Sequence, residues 1–90
     1  MQSAVDSKSI LVELGTEVHR RRKSLGLSQA RLAQLAQVHA NVIGRIERGT
    51  YNPTVTVLCR IAAALGTSLI GLLAQARPVP RARREKLKTG

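Results

Sequence analysis

The stretch "LSQARLAQLAQVHANVIGRIERG", residues 27–49, holds two short amphipathic patterns joined by a tight turn. Ser28 is placed to accept a hydrogen bond from a backbone N–H, so it predicts the start of a helix. In both segments the apolar residues recur at three- and four-residue spacing, which places them on one helical face. Only Gln37 and Val38 separate the segments. The two helices must therefore cross steeply, and the apolar Val38 is expected to pin the turn to the core.

Helical signals continue on both sides of this pair, and no convincing strand alternation occurs. We predict a first helix over residues 9–25, a fourth over residues 55–65 after a Thr54 cap, and a fifth over residues 68–76. The predicted inward residues are Leu11, Leu14, Val18 and Leu25 of the first helix, Leu32, Leu35 and Ala36 of the second, Val42, Ile43 and Ile46 of the third, and Val55, Leu58, Ile61, Ala62 and Leu65 of the fourth. The sequence therefore predicts an all-α domain of five helices.

The composition agrees with a small helical domain. Ninety residues suffice for one domain at most. Hydrophobic residues make up 43% of the chain, but Tyr51 is its only aromatic residue. The core must therefore consist of Leu, Ile, Val and Ala, a set that favours packed helices over a sheet.

The formal net charge of +10 is shared between two parts of the chain. Residues 77–90 carry six basic residues and one acidic residue, and residues 1–76 carry nine basic and four acidic residues, so each part contributes +5. We expect a flexible segment over residues 1–9, a folded domain over residues 10–76 and a disordered basic tail over residues 77–90, acting either as a phosphate-binding arm or as a solubilising end. A net positive charge of this size favours binding to a polyanion. Nucleic acid is favoured over a membrane surface, because the tail has no apolar face.

Several classes of protein are disfavoured. The single cysteine, Cys59, cannot form an internal disulfide, and neither His19 nor His39 has a second ligand at metal-binding spacing. The chain shows no catalytic arrangement and no phosphate-binding glycine loop, so we expect no enzyme, no metal and no cofactor. It also lacks a spanning apolar run and a signal peptide, which predicts a cytoplasmic protein.

The motifs together resemble the lambda-repressor-like (Xre-like) helix-turn-helix family, which includes the phage Cro and CI repressors. The resemblance rests on "GLSQARLAQLAQV", "IGRIERG", the following Pro53 and "LCRIAAALG", and it covers about residues 10–76. Two positions depart from the family pattern. Gln37 stands where the turn often carries glycine, which implies a left-handed backbone. Gly44 stands where the third helix often carries serine or an acidic residue.

The resemblance implies that the second helix of the motif, our third helix, enters the DNA major groove. Its outward face is small, amide-bearing and basic. Asparagine can bind adenine bidentately, arginine can bind guanine O6 and N7, and an alanine methyl can pack on a thymine methyl. The candidates for base readout are Ala40, Asn41, Gly44 and Arg45, with Gly44 either permitting a close approach or merely tolerated. A solvated helix face without a partner is the alternative.

Other roles follow from the resemblance and from position. Gln29 lies at the first turn of the second helix, where the family has a glutamine that contacts a DNA phosphate, so the resemblance implies the same role for Gln29. The further candidates for phosphate contact are His39, Arg48, Tyr51 and Asn52. Glu47 faces inward, which is costly for a charge without a partner, and the family pairs it with an arginine at the position of Arg22. Arg20, Arg21 and Lys23 are expected to be solvated, with contact to a phosphate as the less favoured alternative.

The apolar residues of the fifth helix exceed what a small domain can bury. We therefore predict a two-fold homodimer. Its expected interface residues are Val57, Cys59, Leu69, Ile70 and Leu73, although these residues could instead cap the monomer's core. The predicted function is a dimeric repressor that binds an inverted repeat in double-stranded DNA. The alternative is an antitoxin whose main partner is a toxin protein and whose DNA binding serves autoregulation.

Overall fold

Five α-helices joined by short turns form residues 7–76, the part of the chain that the computed structural model describes. They are α1 (Ser7–Ser24), α2 (Gln29–Ala36), α3 (Ala40–Glu47), α4 (Val55–Ala64) and α5 (Leu69–Ala76). The predicted all-α five-helix architecture is confirmed, and α1 starts two residues earlier than expected, at Ser7 rather than residue 9. The flexible segment expected for residues 1–9 lies largely outside the described residues, and the basic tail over residues 77–90 lies wholly outside them.

The helices enclose one apolar core. Helix α1 packs on α3 and α5, while α2 packs on α3 and α4, and α4 packs on α5. The largest fully buried side chains are Val18, Leu32, Ile43, Ile46, Ile61 and Leu72. Burial removes the aliphatic surface of each of these side chains from water, which stabilises the folded state by about 2 kcal/mol per residue. This packing turns one face of α3 inward and leaves its other face at the surface.

Three residues predicted to point inward are exposed instead: Leu25, Leu35 and Val55. Leu25 lies beyond the end of α1, in a turn from which Leu27 packs on the core. In α2 the buried positions are Leu32, Ala33 and Ala36, so Leu35 falls beyond the edge of the buried face and is exposed. Val55 is the first residue of α4, where no neighbouring side chain covers it closely enough to bury it.

The turn between α2 and α3 has the geometry that the sequence predicts. Gln37 adopts the left-handed conformation, with φ 59° and ψ 46°. Its N–H donates to the Gln34 carbonyl at 3.3 Å, and the N–H of Val38 donates to the Ala33 carbonyl at 3.0 Å. Val38 packs against the core. At the other end of α2, the Ser28 Oγ accepts the N–H of Arg31 at 2.9 Å. These contacts fix the orientation of α3 relative to α2.

Gln37→Gly is expected to stabilise the fold by about 0.5 kcal/mol. The left-handed region costs a residue with a side chain about 1 kcal/mol, which exceeds the added freedom of glycine in the unfolded chain. Urea unfolding followed by circular dichroism would show a higher midpoint. As a control, Gln34→Gly inside the same helix should lower the midpoint, because there glycine only weakens helical propensity. A lower midpoint for Gln37→Gly would contradict this reading of the turn.

A glycine sets the close approach of α1 to the end of α3. Gly15 is buried, and a Cβ atom built on it would overlap the carbonyl oxygen of Ile46 and lie 2.9 Å from the carbonyl oxygen of Glu47. Both neighbours are backbone atoms, which cannot rotate away. Only glycine therefore permits this crossing.

The hydrophobic helices are short. Among residues 7–76 no single helix is both long and apolar enough to cross a membrane. Helices α4 and α5 reach the necessary length and apolarity only as a pair, which is bent by 93°.

Candidate nucleic-acid interface

The outward face of α3 presents uncovered side chains of the types that read base edges. Ala40, Asn41 and Arg45 are exposed, while Ile43 and Ile46 on the opposite face are buried in the core. The only acidic residue of α3, Glu47, has a side chain that is 5% exposed and paired with Arg22. The exposed side chains of Asn41 and Arg45 therefore supply hydrogen-bond donors, and Arg45 adds a positive charge.

Gly44, unlike its neighbours Asn41 and Arg45 on this face, is shielded from solvent. The residue is buried, because the ends of two side chains lie over it. A Cβ on Gly44 would stand 3.2 Å from Nη1 of Arg48 and 3.5 Å from Oε1 of Gln29. A base edge could reach Gly44 only after these side chains moved aside. The glycine instead gives Gln29 and Arg48 room to converge over α3, and its part in base readout remains a prediction.

Gln29 joins the start of α2 to the end of α3. Its Nε2 donates to Oε1 of Glu47 at 3.0 Å, and the residue is exposed. An N-terminal helical position has free backbone N–H groups and the positive end of the helix dipole. Gln29 therefore sits where an anion would be favoured, with its amide group held by Glu47.

Glu47 is the centre of a hydrogen-bonded cluster. Its Oε2 accepts Nε of Arg22 at 2.6 Å, and its Oε1 accepts Nη2 of Arg22 at 3.1 Å. The side chains of Arg22 and Glu47 are only 9% and 5% exposed. Nη1 of Arg22 also donates to the Leu27 carbonyl at 2.7 Å. Arg22 thereby connects α1 to both the end of α3 and the turn before α2.

His19 adds a contact to this cluster that our sequence reasoning missed. Its Nδ1 lies 2.9 Å from Oε1 of Glu47 and 3.2 Å from Nη2 of Arg22. A deprotonated Nδ1 would direct its lone pair at the carboxylate, so we assign the proton to Nδ1, which then donates to Glu47. His19 precedes Arg22 by three residues, and that spacing could have indicated that both share one face of α1.

The pKa of the Glu47 carboxyl shifts below its ordinary value of 4.5. Burial raises this pKa, but hydrogen bonds from Arg22, His19 and Gln29 together lower it further than burial raises it. The pKa of Glu17 is also lowered, chiefly by its hydrogen bond from Arg20, against an opposing effect of burial and with help from Arg21. Both carboxylates therefore bind protons less readily in the folded state than in the unfolded chain.

Acid is expected to destabilise the fold through these two residues. Because their folded pKa values lie below the unfolded ones, their contribution is fully present above about pH 4.5 and is lost as the pH falls through the folded values. Urea unfolding between pH 7 and pH 3 measures this loss. The Glu47→Gln variant should be less stable at pH 7 and should lose less stability on acidification. An unchanged pH slope in that variant would contradict the assignment.

Two of the basic residues near the end of α1, Arg20 and Arg21, form ion pairs that were not predicted. Nε and Nη2 of Arg20 donate to the two carboxylate oxygens of Glu17 at 2.9 and 2.6 Å, and Nε of Arg21 donates to Oε2 of Glu17 at 2.6 Å. Glu17 itself is buried. Arg20 and Lys23 are exposed as expected, although Arg20 is paired with Glu17. The expectation is wrong for Arg21, whose side chain is only 23% exposed.

The loop after α3 folds back on that helix. Both the N–H and the Oγ1 of Thr50 donate to the Arg45 carbonyl, at 3.0 and 3.2 Å. Tyr51 is half-buried and packs on the core, and its ring centroid lies 5.9 Å from Cζ of Arg45. Asn52 in the loop and His39 at the N-terminal cap of α3 are both exposed. These residues surround the readout face.

The residues expected at a dimer interface lie on α4 and α5. Ile70 is 81% exposed, and Leu73 and Cys59 are also exposed. Val57 and Leu69 are partly buried and pack against the core. Leu72, which lies between Ile70 and Leu73 in α5, is fully buried. Helix α5 therefore has one apolar side in the core and a second one at the surface.

No metal-binding cluster is found within residues 7–76, where no three His, Cys, Asp or Glu side chains come together in a way that could hold an ion.

Comparisons with known proteins point to one family. The HTH_3 helix-turn-helix family model matches residues 18–72. Control protein C.SmaI of Serratia marcescens is 39% identical over 69 residues, covering 77% of this chain and 79% of that protein. An uncharacterised HTH-type transcriptional regulator of Haemophilus influenzae is 34% identical over 68 residues, covering 76% of this chain and 69% of the relative.

A solved structure agrees with these matches. The restriction-modification controller protein C.AhdI from Aeromonas hydrophila superimposes with a TM-score of 0.67 at 32% identity, covering 69% of this chain and 94% of that one. The relatives named here are regulators, in line with the prediction of a protein that is not an enzyme. Since the family model covers α2, α3 and α4 with the adjoining parts of α1 and α5, this chain belongs to the HTH_3 family of DNA-binding helix-turn-helix transcriptional regulators.

Proposed function

We propose that the chain is a sequence-specific repressor that binds double-stranded DNA as a homodimer in the cytoplasm. Residues 10–76 would form its DNA-binding unit. The observation that carries the proposal is the uncovered outward face of α3, where Asn41 and Arg45 are exposed beside Ala40 with no acidic side chain among them. Similarity to C.SmaI and C.AhdI supports a regulator of the restriction-modification controller type.

Base readout and backbone contacts divide between two groups of residues. Asn41 and Arg45 would bind base edges in the major groove, where each bidentate pair contributes about 1–3 kcal/mol of discrimination. Contacts to phosphates would fix the register of the domain on the duplex. The residues assigned to phosphates are Gln29, His39, Arg48, Tyr51 and Asn52. Gln29 and Arg48 converge over Gly44, which supports a shared phosphate site at the edge of α3.

Dimerisation through α4 and α5 would align two copies of α3 with successive major grooves. Half-sites in such complexes lie about one helical turn, roughly 34 Å, apart. The exposure of Ile70 at 81% supports this interface, because a large aliphatic side chain gains free energy when a second copy covers it.

Ile70→Glu is expected to convert the dimer to a monomer, because it places a charge in the proposed apolar interface. Sedimentation equilibrium measures the mass directly. Leu35→Glu is the matched control, since Leu35 is also exposed but lies on α2, whereas the proposed interface lies on α4 and α5. Equal masses for wild type and Ile70→Glu would contradict dimerisation through this face.

The operator can be found by selection from random-sequence DNA with the purified protein. We expect enrichment of an inverted repeat, and we expect Arg45→Ala to relax the preference at one position in each half-site. Without any enriched sequence, and with binding that merely fades as salt rises, α3 would be a non-specific cationic surface. The main partner would then be a protein, as in the antitoxin alternative.

A further inference from the structure

Tyr51 lies beside Arg45, one of the two residues proposed to bind base edges. It is the only aromatic residue among the 90. Its ring centroid lies 5.9 Å from Cζ of Arg45, which is within the range of a cation–π contact. The ring is half-buried and packs on the core, whereas Arg45 is exposed. A half-buried ring thus lies against an exposed, charged side chain.

The loop that carries the ring is anchored on both sides. Thr50 donates to the Arg45 carbonyl through its N–H at 3.0 Å and through its Oγ1 at 3.2 Å. Two residues after Tyr51, Pro53 is buried. The backbone of Arg45 therefore holds the very loop whose aromatic ring lies against the Arg45 side chain. The position of the ring relative to α3 does not depend on the free motion of a surface loop.

Such a contact favours base recognition in two ways. A long arginine side chain loses rotamer freedom when it binds, so a contact that already restricts it reduces that loss. A guanidinium that rests on a ring keeps its N–H donors in its own plane, available to acceptors such as guanine O6 and N7. The hydroxyl of the tyrosine takes no part in either effect.

We propose that the Tyr51 ring is a positioning residue that sets how strongly Arg45 discriminates between base pairs. The proposal rests on the proposed function, because it requires that Arg45 reads a base. It goes beyond the assignment of Tyr51 to a phosphate, which uses the hydroxyl and adds no sequence preference.

Two substitutions separate the ring from the hydroxyl. Tyr51→Phe keeps the ring and removes the hydroxyl, whereas Tyr51→Leu removes the ring and keeps apolar volume against the core. The quantity to measure is the specificity ratio: the affinity for the selected operator divided by the affinity for the same duplex changed at the base pair assigned to Arg45. We expect Tyr51→Phe to preserve the ratio and Tyr51→Leu to lower it about two- to fivefold. In an Arg45→Ala background, Tyr51→Leu should lower it no further.

The outcomes distinguish the possible errors. If wild type already shows a ratio near one, the proposed function fails, and this proposal fails with it. If wild type discriminates but Tyr51→Leu keeps the full ratio, only the role of the ring is overturned. A loss of equal size in the Arg45→Ala background would also overturn it, since the effect would then pass through the fold of the loop.

A measurement without DNA gives an independent test. Ring currents should shift the NMR signals of the Arg45 side-chain protons in wild type and in Tyr51→Phe, and the shift should vanish in Tyr51→Leu. Circular dichroism on the same samples checks that each variant is folded. Arg45 signals that are identical in a folded Tyr51→Leu variant and in wild type would contradict the contact.

Discussion

Gly15→Ala should destabilise the domain by at least about 3 kcal/mol, a large share of the roughly 5–15 kcal/mol that typically separates a folded domain from its unfolded chain. The added methyl would overlap the carbonyl oxygen of Ile46 and approach that of Glu47 to 2.9 Å. Because both obstacles are backbone, α1 and the end of α3 would have to separate. Separation would also pull Arg22 away from Glu47 and strain the cluster between them.

Thermal or urea unfolding followed by circular dichroism measures the loss. Gly44→Ala is the matched control, since Gly44 is also buried within a helix but faces only the side-chain ends of Arg48 and Gln29 and no backbone atom. There the alanine should be neutral or stabilising by up to about 1 kcal/mol, from its higher helical propensity. If Gly15→Ala were as stable as Gly44→Ala, the close crossing of α1 and α3 would be wrong.

Glu47→Ala is expected to cost about 3–5 kcal/mol, the usual result of removing one partner of a buried ion pair. The guanidinium of Arg22, with its side chain 9% exposed, would keep its hydrogen bond to the Leu27 carbonyl but would have no counter-ion within hydrogen-bonding distance. His19 and Gln29 would lose their acceptor as well. The destabilisation therefore exceeds what one surface salt bridge supplies.

The urea midpoint at pH 7 tests this value, with Glu13→Gln as a control at an exposed carboxylate of α1. The control should change stability by less than about 0.5 kcal/mol. The double variant Arg22→Met with Glu47→Leu should recover much of the loss, because apolar side chains can fill the same space without a stranded charge. A Glu47→Ala variant as stable as the control would show that the cluster contributes nothing.

Local sequence signals were sufficient to predict the order of the helices. Caps such as Ser28 and Thr54 and the three- and four-residue spacing of apolar residues all act within a few residues of their effect. The left-handed Gln37 could be expected for the same reason. Leu35 shows where local signals are insufficient. Its spacing from Leu32 fits a common helical face, but tertiary packing buries Ala33 on the other side of Leu32 and leaves Leu35 exposed.

The site could be predicted only in part for a similar reason. The outward face of α3 follows from helical periodicity, so Asn41 and Arg45 were identifiable. The burial of Gly44 under Arg48 and Gln29, and the crossing that requires Gly15, depend on where two helices meet in space. The contact between Tyr51 and Arg45 depends on how the loop folds back, which no spacing in the sequence specifies.

A base analogue shows whether the outward face of α3 reads base edges in the major groove. Replacing guanine by 7-deazaguanine in the selected operator removes the N7 acceptor while leaving base pairing intact. We expect wild type to lose about 1–3 kcal/mol of affinity at one guanine in each half-site, and we expect Arg45→Ala to lose nothing further there. Equal losses for both proteins, or no loss for wild type at any guanine, would contradict this readout.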